Sequence, residues 1–381
     1  MEKVPPKVDE AIQTLNMKDG PTRRRLIAGT GLFSATAAAS ALLAACSSSN
    51  NPTASGAVGD FPKVPKWKFT FVNHVTDIQF FVPTRYGFAD AAALLGIPTP
   101  QWTGANSTQS NAAPPMVSAI NTAVAAGVNG IATTVIDTTS FTAPVARAMS
   151  AGIPVVTYNA DGAVGDPGTN RLAYVGQDLF LSGQEVGGRI ASAMPAGGTV
   201  VGLIGDKSAL NLAPRIQGAY QVLNSSSKHF KVLAEIQTGT ELTQVTTNVN
   251  EYLQANGPKL QGVFGVDGTT SQVLGSALQK YGLVGKLASG GFDLNPPTLT
   301  SVKAGTLGFT IDQQPYMQGF LPTLYLYLFN LSGGRVTPPD TDTGLRFVTK
   351  DTVSVYLAPT SRFEGSTTSE KYITRSGAIV A

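Results

Sequence analysis

The stretch at residues 130–158, GIATTVIDTTSFTAPVARAMSAGIPVVTY, decides the fold class of this 381-residue chain. It opens and closes with short apolar runs, GIATTV at 130–135 and IPVVTY at 153–158, which are typical of buried strands. The segment between them, FTAPVARAMS at 141–150, has the apolar spacing of a helix, and Gly152 marks where that helix ends. A strand, a helix and a second strand in this order predict a parallel β-α-β unit.

The same alternation of short Val/Ile-rich runs and longer Ala-rich amphipathic segments continues on both sides of this stretch. Because the strands are apolar throughout, they predict parallel sheets that helices cover on both faces. We expect strands at 69–73, 130–135, 153–158, 199–204, 231–236, 262–266, 287–291 and 307–311. We expect helices at 82–95, 116–126, 141–150, 181–194, 214–223, 244–255, 271–281 and 315–329, and one that begins at Asn295-Pro296 with Asn295 as its N-cap.

Composition excludes several classes of protein. The chain has 27 basic and 24 acidic residues, 42% hydrophobic residues and 13% charged residues, which excludes a disordered or acidic-tail protein. A formal charge of +3 is too small for a nucleic-acid-binding protein, so we expect no nucleic-acid partner. The single cysteine excludes an intrachain disulfide framework and a multi-cysteine metal site, and we expect neither a metal nor a cofactor.

The first 45 residues have the pattern of an export signal. Arg23-Arg24-Arg25 precede an almost uncharged, Ala-rich run from 26 to 45. The arginines resemble a twin-arginine signal, and Leu43-Ala-Ala-Cys46 resembles a bacterial lipobox. The alternative is a transmembrane helix, since about 20 residues are enough to cross a bilayer. The Ser/Asn/Gly/Pro-rich segment 46–61 favours a flexible tether, and hence an exported periplasmic or cell-surface lipoprotein anchored through Cys46.

Polar side chains follow most of the expected strands at the point where each strand ends. They are Asn73, His74, Asp137, Asn159, Asp267, Asp293 and Gln313. The carboxyl ends of parallel strands share one edge of the sheet, which is where ligands bind. Amides and single carboxylates with the aromatic residues Phe80 and Phe81 nearby suit a polyhydroxylated ligand. The alternative reading is that these residues form ordinary caps and turns.

The order of these segments resembles the ribose-type periplasmic binding proteins, the sugar-binding subunits of bacterial ABC importers. The resemblance covers nearly all of residues 67–360. It is carried by FVNH at 71–74, QFFV at 79–82, DTT at 137–139, GIPVVTYN at 152–159, YVGQD at 174–178, RIQG at 215–218, VFGVD at 263–267, GFD at 291–293 and TIDQ at 310–313.

This resemblance implies two Rossmann-like α/β lobes with parallel sheets, joined by a three-stranded hinge. The chain would cross between the lobes near 175–177, near Gln313 and near 345–348. The implied N-terminal lobe is 62–175 plus 314–345, the C-terminal lobe is 176–313 plus 346–368, and 369–381 form a tail. Ligand would bind in the cleft, and closure about the hinge would bury it.

The resemblance also implies the residues that bind the ligand. They are Phe80, Phe81, Asp137, Asn159, Arg215, Asp267, Asp293 and Gln313. We weight Asp293 most, because a carboxylate accepts strong hydrogen bonds from two adjacent hydroxyls. The alternative roles are core packing for the two phenylalanines, a helix cap for Asp137 and a surface salt bridge for Arg215. Ile78-Gln79 stands where ribose binders have Asn-Pro, and Ala160 where they have Arg, so a pentose other than ribose, a hexose or a polyol is implied.

The sequence favours binding and release over catalysis. Gly-x-Ser-x-Gly, His-Glu-x-x-His and phosphate-loop motifs are missing from it. We therefore predict a monomeric solute receptor, not an enzyme, that passes a small neutral polyhydroxy ligand to an ABC permease. Two alternatives stay open: a sensor that presents its ligand to a membrane receptor, and a glycoside hydrolase using Asp267 and Asp293.

Overall fold

The computed structural model describes residues 64–109, 111–137, 139–161, 170–334 and 338–357. The expected signal at 1–45, the tether at 46–61 with Cys46, and the tail at 369–381 lie outside these residues. Within the described ranges, the helices are all too short or too polar to cross a membrane.

Strands and helices alternate along the chain, as the sequence predicts. The strands are β1 (Phe69–Asn73), β2 (Gln101–Gly104), β3 (Gly130–Val135), β4 (Val155–Asp161), β5 (Ala173–Gly176), β6 (Gly198–Ile204), β7 (Phe230–Val232), β8 (Ile236–Gln237), β9 (Gly262–Gly265), β10 (Ala288–Gly290), β11 (Thr310–Asp312), β12 (Asp340–Asp342) and β13 (Arg346–Val348). The helices are α1 (Val82–Leu95), α2 (Ala113–Ala125), α3 (Thr142–Ser150), α4 (Leu179–Ala193), α5 (Ala213–Ser225), α6 (Leu242–Asn256), α7 (Gly268–Lys280), α8 (Pro296–Ala304), α9 (Met317–Ser332) and α10 (Ser354–Leu357).

The first lobe is built on a six-stranded sheet with the order β12-β5-β4-β3-β1-β2, and its neighbouring strands all run parallel. Alternate residues of β1 point to opposite faces, since Phe71 packs with Phe88 of α1 while Val72 packs with Met116 of α2. Helices α1 and α9 cover one face, and α2 and α3 cover the other. The expectation of a parallel sheet covered on both faces is confirmed.

The second lobe repeats this plan on a smaller parallel sheet, β10-β9-β6-β7, to which β8 adds by pairing with β6. Phe264 of β9 packs toward α4 and α5, and its neighbour Val263 packs toward α6 and α7. The single strand expected at 231–236 is wrong. The structure has two short strands there, β7 and β8, which pair with the first and second halves of β6.

Three segments carry the chain between the lobes: from β5 to α4, from β11 to α9, and from β12 to β13. Strand β5 belongs to the first sheet, and α4 packs in the second lobe. Strands β11 and β13 pair antiparallel beside the second sheet, and α9 and β12 belong to the first lobe. These connecting segments therefore bring Gln177, Gln313 and Thr343 together near the strand ends that form the site.

Glycines allow one pair of helices in each lobe to pack backbone against backbone. A Cβ at Gly319 of α9 would collide with the backbone carbonyl of Thr84 in α1, and one at Gly87 of α1 would collide with that of Tyr316. Gly183 of α4 and Gly218 of α5 stand in the same relation to each other's helix. Neither contact tolerates even a methyl group, so each helix pair is held tightly together.

Candidate ligand-binding site

Asp293 lies three residues beyond the end of β10, where the carboxyl ends of the second sheet meet. Its backbone has a φ of 71°, a left-handed conformation that is uncommon for a residue other than glycine. The backbone N–H donates to Ile311 O at 3.0 Å, which fixes this turn against β11. One carboxylate oxygen, Oδ1, accepts a hydrogen bond from Nε2 of Gln313 at 2.5 Å. The half-buried carboxylate is thus held in place from one side.

Arg215 lies behind this pair and is buried, with 4% of its surface exposed. Its Nη2 donates to Oε1 of Gln313 at 2.6 Å, and its Nη1 donates to Val266 O at 3.0 Å. The guanidinium carbon lies 4.4 Å from the centre of the Phe292 ring, so the cation stacks on an aromatic face. Arg215 is therefore an interior residue that orients Gln313, and the surface salt bridge considered as an alternative is wrong.

Burial acts against the charged forms of both Asp293 and Arg215. Burial raises the pKa of Asp293 to about 6, although Arg215 and the bond from Gln313 act in the opposite direction. Burial also lowers the pKa of Arg215, while Asp293 and Asp267 raise it. A desolvated carboxylate that lines a cavity is suited to accept hydrogen bonds from hydroxyl groups.

Asp267 uses its carboxylate inside its own lobe. It is the N-cap of α7, where Oδ1 accepts from Thr270 N at 2.8 Å. Oδ2 accepts from Gly205 N and from the Thr270 hydroxyl, both at 2.8 Å. Burial raises its pKa, and these three bonds act against that rise. Asp267 thus fixes the ends of β6 and β9 beside the Arg215 cluster.

The first lobe contributes the opposite wall of a small cavity. A turn of 3-10 helix at Gln79–Phe81 leads into α1, and Phe80 packs edge-on against Phe81 with 4.8 Å between ring centres. The cavity is lined by Gln79, Phe80, Pro83, Asp293, Leu294, Asn295, Ile311, Gln313 and Pro315. Its volume of about 20 Å³ is enough for one water molecule, so any larger ligand requires the two walls to move apart.

Phe81 and Asp137 have other partners. Phe81 is 1% exposed and belongs to the core of the first lobe, where it also meets the His74 ring edge-on. The Oδ1 of Asp137 accepts from the backbone N–H groups of Ser140 and Thr139 at 2.6 and 3.0 Å, which shapes the turn before α3. Burial alone would raise the pKa of Asp137, but these bonds lower it overall.

Asn159 and His74 line the first sheet's strand ends. Asn159 has a φ of 63° and donates through Nδ2 to Oε1 of Gln318 at 3.1 Å. His74 Nδ1 lies 3.0 Å from the Thr134 hydroxyl, and burial lowers the pKa of His74 to about 4. The imidazole is therefore neutral at pH 7 and adds no charge to the site.

Of the residues expected to bind ligand, the structure places Phe80, Asp293 and Gln313 on one cavity and Arg215 directly behind Gln313. Sequence reasoning gave no site role to Gln318, whose amide joins Asn159 to the backbone of Gln313. The expected N-cap position of Asn295 before α8 is confirmed, but its side chain makes no capping bond; its Nδ2 instead donates to Gly268 O at 3.1 Å. Asn295 follows Asp293 by two positions, and this spacing is the signal that could have predicted Asn295 as a residue of the cavity wall.

The site provides hydrogen-bonding groups and one aromatic face. In the described ranges, His, Cys, Asp and Glu side chains form no group of three or more that could hold a metal ion. Two larger depressions lie elsewhere on the described surface, one along α2 and one between α4 and α7. Arg189 is the one charged residue that lines either of these described depressions, whereas the cleft cavity is lined by the carboxylate of Asp293.

Comparisons with known proteins agree with this geometry. The family model described as periplasmic binding protein domain matches residues 69–328. A xylose/arabinose-binding protein, XylF, from Sulfolobus acidocaldarius is 39% identical over 324 residues, which cover 82% of this chain and 78% of the relative.

Solved structures have the same fold. A solute-binding protein of an ABC transporter from Burkholderia graminis, solved in complex with D-arabinose, is 28% identical with a TM-score of 0.70, and covers 78% of this chain and 99% of its own. GanP, a glucose-galactose binding protein from Geobacillus stearothermophilus, is 22% identical with a TM-score of 0.68, and covers 76% of this chain and 99% of its own.

Proposed function

Since the chain belongs to the periplasmic binding protein domain family, as the sequence resemblance predicts, we propose that it binds a pentose of the xylose or arabinose type and delivers it to an ABC permease. Members of this family are extracytoplasmic binding proteins, not enzymes, and the chain is one of them. The observation that carries the ligand proposal is the cavity that places Phe80 of one lobe opposite Asp293 and Gln313 of the other.

The chemistry of this cavity matches a small neutral sugar. The Asp293 carboxylate accepts from vicinal hydroxyls, and the second N–H of the Gln313 amide donates to a ring or hydroxyl oxygen. The half-buried Phe80 ring offers an apolar face to the C–H groups of a pyranose. Arg215 is engaged by Gln313 and Val266, so it orients the Gln313 amide toward the ligand.

Capture and release follow from closure of the lobes. The lobes open to admit the sugar and then close around it, to a separation wider than in this structure, at which groups of both walls touch it. Because only this liganded closed form makes both sets of contacts, the sugar shifts the equilibrium toward it. The permease then recognises the closed form and accepts the sugar, which leaves without covalent change. We further propose that the receptor acts as a monomer held at the membrane by lipid on Cys46. Mass spectrometry of the exported N-terminus, with Cys46→Ser as the unlipidated control, tests the anchor.

A thermal-shift and calorimetric screen of the purified chain tests the ligand class. We expect D-xylose or L-arabinose to raise the melting temperature, because a ligand that binds only the native state stabilises it. Asp293→Asn should greatly reduce this shift. The matched control is His229→Ala, since His229 lies exposed in the loop before β7. The proposal fails if pentoses, hexoses and polyols at millimolar concentration all leave the wild-type melting temperature unchanged.

A further inference from the structure

Thr343 contacts all three segments that connect the lobes, although it lies outside the cavity. It follows β12 and is 8% exposed. Its N–H donates to Gly176 O at 2.9 Å, in the segment from β5 to α4. Its carbonyl accepts from Nε2 of Gln314 at 2.8 Å, and its hydroxyl donates to Gln313 O at 3.0 Å, both in the segment from β11 to α9. Thr343 thus links its own connecting segment to each of the other two.

The hydroxyl of Thr343 acts on a residue of the site. Gln313 O also accepts from Nε2 of Gln318 at 3.0 Å, so two donors hold this buried carbonyl from the side of the first lobe. The side chain of Gln313 extends the other way, to Arg215 and Asp293 of the second lobe. The orientation of Gln313 therefore depends on the connecting segments as well as on the cavity.

The connecting segments also contain features that favour a second arrangement. Gln314 has a φ of 53°, in the left-handed region. The Oε1 of Gln177 is buried without a hydrogen-bond partner among the described residues, and its Nε2 reaches Gly344 O only at 3.5 Å. A strained backbone and an unsatisfied buried amide both cost free energy, and both are relieved if the segments rearrange as the lobes open.

We propose that Thr343 is a positioning residue whose hydroxyl holds the connecting segments in the arrangement that presents Gln313 to the ligand, and that it thereby sets the affinity for sugar without touching it. This inference rests on the proposed function. Loss of the hydroxyl leaves Gln313 O with one donor in place of two, so the closed form loses a contact that the open form does not need.

The test compares Thr343→Val, which removes only the hydroxyl, with Thr343→Ser, which keeps it. We expect Thr343→Val to raise both Kd and the dissociation rate about tenfold, and Thr343→Ser to stay within about twofold of wild type. Gln314→Met, which removes the bond to Thr343 O from an exposed side chain, should raise Kd severalfold and provides a second variant if the valine chain does not fold. Calorimetry and stopped-flow fluorescence with D-xylose and L-arabinose give these values.

Thr323→Val is the control for a purely structural effect. Thr323 is also fully buried, but its hydroxyl donates within α9, to Gly319 O at 3.0 Å. We expect this variant to lose stability and to keep the wild-type Kd. If Thr343→Val leaves Kd unchanged, or if Thr323→Val raises Kd as much, the positioning role is wrong.

Small-angle X-ray scattering of the sugar-free proteins separates this inference from the proposed function. If the wild type binds none of the sugars, the proposed function fails, but the role of Thr343 is still tested. A larger radius of gyration for Thr343→Val than for wild type and Thr323→Val supports it. Equal radii in the three proteins, together with the absence of binding, overturn it.

Discussion

Gln313 donates through its amide to the carboxylate of Asp293 at 2.5 Å, so the group that contacts this acid is neutral. Among the described ion pairs there is none between Arg215 and Asp293, because the guanidinium reaches only as far as Oε1 of Gln313. An amide stabilises the ionised carboxylate less than a direct cation does. Burial therefore keeps the pKa of Asp293 at about 6, close to neutral pH.

We expect sugar affinity to fall as the pH falls below 6, by up to about tenfold per pH unit, because protonation removes the acceptor that the ligand hydroxyls use. Calorimetric titrations between pH 4.5 and 8 measure this dependence. The Asp293→Asn variant, which cannot titrate, should bind weakly and with little change over the same range. Equal wild-type affinity at pH 5 and pH 7.5 would contradict the assignment of Asp293.

The stability of the sugar-free protein should depend on pH in the opposite direction. The pKa of Asp293 is higher in the folded chain than its ordinary value of 3.8, so the folded state binds the proton more tightly. This contribution to stability is complete below pH 4 and is lost as the pH rises through 6. Urea unfolding of wild type and Asp293→Asn should show the variant gaining relative stability from pH 4 to pH 7; a constant difference would be inconsistent with the raised pKa.

Phe80 and Phe81 should separate binding from folding. Phe80→Ala removes a ring that lines the cavity, so we expect sugar affinity to fall about tenfold with a modest loss of stability. Phe81→Ala removes a ring that is 1% exposed in the core and should cost about 3–5 kcal/mol of unfolding free energy. Calorimetry and urea unfolding of both variants provide the comparison. If Phe81→Ala lowers sugar affinity more than Phe80→Ala does and costs less stability, the assignment of Phe80 to binding and Phe81 to the core is wrong.

Arg215→Lys should destabilise the second lobe by about 3 kcal/mol, because an ammonium cannot reach both Val266 O and Gln313 Oε1 from the same buried position. Arg189→Lys is the matched control. Arg189 stacks over Phe347 at 4.6 Å and is half-buried, so its replacement should cost no more than about 1 kcal/mol. Denaturant unfolding measures both, and similar losses would mean that the hydrogen bonds of Arg215 contribute little.

Gly319→Ala should be strongly destabilising, by about 3 kcal/mol or more, because the added methyl meets the Thr84 carbonyl and forces α9 away from α1. Gly188→Ala in α4 is the control, since a Cβ there meets nothing within 4 Å. That change should be neutral or stabilise by up to about 1 kcal/mol, as alanine favours helix. Thermal unfolding distinguishes the two, and equal effects would show that α1 and α9 adjust freely.

The sequence was sufficient to predict strands whose residues are buried on both faces. β1 and β3 are buried throughout and were placed with the correct bounds. β2, β5, β12 and β13 were missed. QWTG and DTD are at most half-buried and pair with β1 and β5 at the edges of the first sheet. The break between β7 and β8 depends on their register with β6, which no local pattern encodes.

The sequence predicted those site residues that have a polar side chain and also directly follow a strand. Asp293 and Gln313 follow strands, and parallel sheets gather such residues. The capping bonds of Asp137 and Asp267 were also visible in principle, since each is followed within three residues by Thr or Ser. Gln318 was missed because it lies inside a helix, and its partner Asn159 is 159 positions away in the chain.

The glycine contacts of α1 with α9 and of α4 with α5 have a consequence for the rigidity of each lobe. Where two helices touch through their backbones, no side chains lie between them that could repack. Each helix pair is therefore rigid. When a lobe rotates about the connecting segments, the displacement of its helix pair grows with distance from those segments. If the lobes close on a ligand as proposed, each helix pair therefore moves as one unit with its lobe.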